Sequence, residues 1–105
     1  MNKVILIGRV GKDTEALNDK FSVNNLVTTK SWVNDKGEKV EKSHWHKVLF
    51  TGKQALTASE YIKKGIKLGI EGELQNSEWV DKEGVKRFST EVLVQSFEFL
   101  EPKKS

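Results

Sequence analysis

His44 and His46 stand two residues apart, three and five places after Glu41. Residues two apart on a strand share a face, so the pair could offer two imidazoles to one metal ion. A site needs a third ligand, and only Glu41 is near in sequence. One exposed and one packed histidine is the simpler expectation, and no metal site is assigned. Neither Gly11-Lys12 nor Gly52-Lys53 has the earlier glycine and the following Ser or Thr of a P-loop. Gly69-Ile70-Glu71-Gly72 lacks the strand–turn–helix setting of a dinucleotide fingerprint. Ser, His and Asp all occur, but no spacing ties them into a nucleophilic triad. The chain therefore reads as a non-enzyme, with no catalytic residue and no cofactor.

The tryptophans say more. There are three in 105 residues, each beside a polar turn or among cations. Their neighbours two places away are Lys30 and Asn34 for Trp32, Ser43 and Lys47 for Trp45, and Ser77 and Asp81 for Trp79. A core indole would have apolar residues there. Exposed indoles with lysines alongside suit a single-stranded nucleic acid. Each base stacks on a ring for about 1–3 kcal/mol while cations follow the phosphates. The alternative is that the rings anchor a protein partner or cap the ends of a barrel.

Composition sets the frame. A chain of 105 residues makes one domain with one small core. Charged residues are 31% and hydrophobic residues 36%, which is neither a membrane nor a disordered composition. The net charge of +3 permits an anionic partner without demanding one. No cysteine is present, which excludes disulfides, thiolate metal sites and a thiol nucleophile. The longest apolar run, Val4-Ile5-Leu6-Ile7, is far too short to span a bilayer. A cytoplasmic, nucleoid-associated protein is expected. Residues 1–100 read as the domain and 101–105 as a short loose tail.

Strands must position these side chains. Lys3 to Val10 reads as a buried strand. Phe21 to Val33 follows the Asn18-Asp19 turn, and its alternation slips across Asn24-Asn25, which suggests a bulge. After the turn at Asn34–Glu38, a third strand over Val40 to Thr51 puts Trp45, Lys47, Leu49 and Thr51 on one face. His44, His46, Val48 and Phe50 fall on the other. Lys53 to Lys64 is the one helix, with Ala55, Leu56, Ala58, Tyr61 and Ile62 as its apolar stripe and Gly65 as a left-handed cap. A fourth strand starts at Ile66 and runs to about Trp79. Asp81–Gly84 turns the chain into a last strand over Val85 to Gln95, with Phe88, Thr90, Val92 and Val94 on one face. Phe97, Phe99 and Leu100 are expected to close the core. Mainly β, five strands with one helix between strands 3 and 4, is the order of the OB-fold, a Greek-key barrel. Other small α+β folds share that order.

Several segments together resemble the bacterial-type single-stranded DNA-binding (SSB) family. They are Asn2 to Asp13, Trp45-His46-Lys47-Val48 with Gly52-Lys53, and Tyr61 to Gly65 with Ile70-Glu71-Gly72. Trp79-Val80-Asp81, Gly84 and Lys86 to Val92 complete the set, in the family's order, over about residues 2–100. The resemblance implies an OB-fold that sheathes single-stranded DNA in replication, recombination and repair. It implies base stacking on Trp32, Trp45 and Trp79, and phosphate contacts from Lys47, Lys53, Lys64 and Arg87. His46 would lie at an oligomer interface. The implied assembly is a homo-oligomer, a tetramer in preference to a dimer. The chain departs from the family in carrying Thr51 where an aromatic is common, in a short first connection, and in Lys67 and Gly69 on a face used between dimers. It also lacks an acidic C-terminal tail, which leaves replication and repair proteins uncertain as partners. A dimeric primosomal relative that also lacks the tail is the alternative.

Overall fold

The computed structural model describes residues 1–100; the expected tail at 101–105 lies outside the described residues. The elements are β1 (Val4–Val10), β2 (Glu15–Ala16), β3 (Phe21–Val33), β4 (Lys39–Thr51), α1 (Lys53–Tyr61), β5 (Lys67–Val80) and β6 (Lys86–Phe99). The strands follow one another around the sheet as β1-β5-β6-β4-β3-β2, and β1 also pairs with β3 at Arg9 and Val10. That last pairing closes a five-stranded barrel, with the two-residue β2 as an appendage on β3. All ladders are antiparallel except the short β4–β6 pairing. The OB-fold expectation holds, and the helix sits between the third and fourth barrel strands.

The core forms where inward positions of opposite strands meet. Val10, Leu26, Val48, Phe50, Leu68, Ile70, Val92 and Val94 are buried there. Phe97 meets Phe50 edge-on at 5.4 Å, a favourable ring geometry. Helix α1 closes one end of the barrel with Ala55, Ala58 and the following Ile62. Three buried polar groups tie that end together. Ser22 Oγ donates to Ala55 O, Thr14 Oγ1 donates to Ile62 O, and Asn24 Nδ2 donates to Lys12 O and Thr14 Oγ1.

Several expectations are corrected. The β3–β4 register is unbroken from Phe21↔Thr51 to Val33↔Lys39, so there is no bulge at Asn24-Asn25. Asn24 is an inward residue whose amide is fully used, and a polar residue at a core position mimics a slip. The bulge lies instead in β6, where Ser96 faces Glu71, Val94 faces Gly72 and Gln95 is the extra residue. β1 buries only one face: Val4 and Leu6 pack on the core while Ile5 and Ile7 are exposed. The helix ends at Tyr61, with Leu56 and Tyr61 exposed. Gly65, at φ 88°, serves the turn into β5 and not the helix cap. Phe88 and Thr90 do share the inward parity of Val92 and Val94, but β6 joins the barrel only after them and both are exposed. Phe99 and Leu100 are likewise largely exposed, so Phe97 is the last aromatic against the core.

Candidate nucleic-acid interface

Two long hairpins carry the tryptophans beyond the barrel, and the same turn chemistry shapes both tips. Asn34 Oδ1 accepts from the Lys36 and Glu38 N–H groups, and Asp81 Oδ1 accepts from those of Glu83 and Val85. Gly37 and Gly84 supply the left-handed residue that each turn needs. Arg87 Nε donates to Asp81 Oδ2 at 3.0 Å. The Val85 N–H, then Arg87, hold the Asp81 carboxyl below its ordinary value.

Parity decides which side chains meet. On β4 the inward residues are Val48 and Phe50, so Lys47 and Trp45 point outward. On β6 Val92 and Val94 are inward, so Glu91, Ser89 and Arg87 are outward. On β5 Leu68 and Ile70 are inward, so Gln75, Ser77 and Trp79 are outward. The β4–β6 pairing of Val48 with Val92 sets Lys47 beside Glu91, and β5–β6 pairing sets Gln75 opposite Glu91 and Trp79 opposite Arg87. Trp45, Lys47, Glu91, Arg87 and Trp79 thus all point to the outer side of the sheet, which is joined where β4 meets β6. Trp45 is 63% exposed and Trp79 48%. The Trp45 indole lies over Gly11, where any Cβ would collide with the ring.

The acid is the unexpected member. Glu91 is buried, at 6% exposure, on a face otherwise open to solvent. Its Oε1 accepts from Gln75 Nε2 and Ser77 Oγ, each at 2.8 Å. Its Oε2 faces the Lys47 ammonium at 3.4 Å. Burial pushes the carboxyl up, but the two hydrogen bonds and the ammonium outweigh it, and the group stays below its ordinary value of 4.5. It is therefore ionised at neutral pH. Of this group only Lys47 was among the expected site residues; Glu91, Gln75 and Ser77 were not. The available signal was an acid inside a strand with apolar Val92 next to it, which demands a donor.

The remaining expected residues are dispersed. Trp32, 41% exposed, has the parity of Leu26 and lies on the reverse face of the β3–β4 hairpin from Trp45. There Lys30 stands directly opposite Lys42, a like-charge pair that favours an anion nearby. Arg87 shares the Trp79 face but is tied to Asp81. Lys53 opens α1, six residues of strand from Trp45 to Thr51 and then past Gly52, or roughly 20 Å at the usual strand rise. The Lys64 backbone is nearer, since its N–H donates to Asp13 Oδ1 and Gly65 N–H donates to Val10 O, beside Gly11. His46 points to the core side, partly buried, with Nε2 2.9 Å from Thr28 Oγ1. His44 is exposed, and no group of three metal-ligating side chains occurs among the described residues. Phe50 is fully buried and has no ring face free for a base.

The model of the single-strand binding protein family matches residues 1–100. The chain belongs to that family. Among solved structures, the Plasmodium falciparum SSB in complex with ssDNA superposes with a TM-score of 0.82 at 25% identity, covering 96% of both chains. A deletion mutant of the single-stranded DNA binding protein from Thermus aquaticus gives 0.76 at 25% identity. The present chain is covered to 96% there but matches only 51% of the Thermus chain. The family's barrel is thus the whole of what is described here.

Proposed function

We propose that this protein binds single-stranded DNA without strong sequence preference and acts as a sheath for it in replication, recombination and repair. Family membership supports the ligand class. The observation that carries the mechanism is the shared outer face of Trp45, Lys47, Trp79 and Arg87 across β4, β6 and β5. Bases stack on Trp45 and Trp79, and cations between them meet phosphates. A strand reaches Trp32, with Lys30 and Lys42, by passing around the tip of the β3–β4 hairpin. Lys53 and Lys64 extend the path toward the helix end. The protein is a binder, not a catalyst, and it works as a homo-oligomer. Ile5 and Ile7 on the exposed face of β1, with Leu100 beside Gly69, leave an apolar surface that a second copy would cover.

Titration with oligo-dT, read by intrinsic tryptophan fluorescence and by anisotropy of a labelled oligonucleotide, tests this. Strong quenching is expected. Trp45→Ala removes an indole held in mid-strand, so it loses little order on binding. A stacking value of about 1–3 kcal/mol makes the expected loss about tenfold or more, with Trp79→Ala less costly and more dependent on oligonucleotide length. Unchanged affinity in a folded Trp45→Ala would remove the binding face from β4. Indoles that serve only a protein partner would give no quenching at all.

A further inference from the structure

The outer face contains a charge of the wrong sign for a DNA site. Glu91 is held by two neutral donors on Oε1, and neither depends on Lys47. Lys47 is the loosely held member of the pair: its contact to Oε2 is longer, 3.4 Å, and its side chain is 48% exposed against 7% for Glu91. The carboxylate therefore keeps its place when the ammonium leaves.

We propose that Glu91 is a positioning residue that holds Lys47 beside Trp45 and competes with DNA phosphate for its ammonium. This rests on the reading of the Trp45 face as the DNA site. In the free protein Lys47 is neutralised internally. On binding it exchanges a carboxylate for a phosphate, and the anchored carboxylate left behind opposes the new contact. Lys47 then adds little to net phosphate neutralisation. The stacking residues carry the affinity while the cation beside them is kept in reserve. Removing the Glu91 charge converts Lys47 into an unopposed phosphate ligand.

The test is oligo-dT affinity against salt for the wild type, Glu91→Gln, Glu91→Asp, Lys47→Gln and the Lys47→Gln/Glu91→Gln double variant. Each phosphate newly neutralised on a single strand steepens the slope of log K against log[salt] by about 0.7. Glu91→Gln is expected to bind more tightly at low salt and to lose about fivefold more affinity than the wild type per tenfold rise in salt. Glu91→Asp keeps the charge and the wild-type slope. Lys47→Gln, with its fold checked by circular dichroism, leaves the slope unchanged in the wild-type background and cancels the steepening in the Glu91→Gln background. A merely structural Glu91 would lower affinity at every salt concentration without changing the slope, and that result overturns the proposal. So does a Lys47→Gln single variant whose slope is shallower by about 0.7, because Lys47 would then already be unopposed. Steepening that persists without Lys47 would show the charge acting on DNA directly. A wild type that neither binds nor quenches with oligo-dT sinks the DNA reading itself, and is told apart from the other failures by that first titration.

Discussion

Replacing Gly11 with alanine should displace the Trp45 indole without unfolding the barrel. A Cβ at Gly11 would overlap Cζ3 of the Trp45 ring and come within 3.0 Å of Cη2. The backbone there is not in the left-handed region, so alanine meets no backbone penalty. The clash is with the far edge of a side chain that is 63% exposed, and the ring can swing outward. Loss of a glycine's freedom in the unfolded chain stabilises by about 0.4–1 kcal/mol, which offsets ring strain of similar size. The melting temperature should stay close to that of the wild type. Binding is different, because the indole loses the surface that orients it. Losing even the lower end of the stacking range, about 1 kcal/mol, weakens oligo-dT binding about fivefold. Anisotropy titration gives the affinity, circular dichroism the fold, and the emission maximum reports the ring's new environment. In a Trp45→Ala background Gly11→Ala should add nothing. A fivefold loss that persists there would mean that Gly11 meets the DNA with its own backbone. Unchanged affinity with a shifted emission maximum would mean that ring orientation is irrelevant, and the stacking argument would fail with it.

Much of the barrel was legible because it depends on short-range pattern. Gly37 and Gly84, each following an Asn or Asp by three residues, mark both hairpin tips, and the parity of β4 follows from Val48 and Phe50. Less legible were features set by where a strand leaves the barrel. Phe88, Thr90 and Val92 alternate identically in sequence, yet only Val92 has a second layer above it. Ile5 and Ile7 are as apolar as Val4 and Leu6, and only the closed barrel decides which pair faces inward. Asn24 looked like an interruption of the pattern because its amide partners, Lys12 and Thr14, are ten or more residues away.

The binding face shows the same division. That the tryptophans would be exposed was readable from their polar neighbours. Which of them share a face was not, because Trp45 and Trp79 come together only through the parallel β4–β6 ladder, a contact between residues more than forty apart. Trp32 has the opposite parity in an unbroken register, so its proximity to Trp45 in the chain misleads. The Lys47–Glu91 pair depends on that same ladder. A lysine next to a tryptophan reads as a phosphate ligand until the fold shows what else it touches.

Two further perturbations address assembly and acid stability. His46→Tyr enlarges a partly buried ring and removes the bond to Thr28 Oγ1, so the proposed oligomer should dissociate at a higher protein concentration than that of the wild type, with the proposed DNA binding weakened mainly in dilute solution. Sedimentation velocity measures this, and unaltered assembly would remove His46 from the interface. Resistance to urea should fall as acid protonates Glu91. Its folded value is lowered, burial being outweighed by Ser77, Gln75 and Lys47, so the unfolded chain binds the proton more readily. The stabilisation is complete above the ordinary value of 4.5 and is lost as pH falls through the lower folded value. Asp81 acts in the same direction from the hairpin tip. Glu91→Gln cannot titrate, so its urea midpoint should decline less steeply than that of the wild type below that pH. If the two profiles run parallel through the acid limb, the Glu91 carboxylate is not held as its three partners imply.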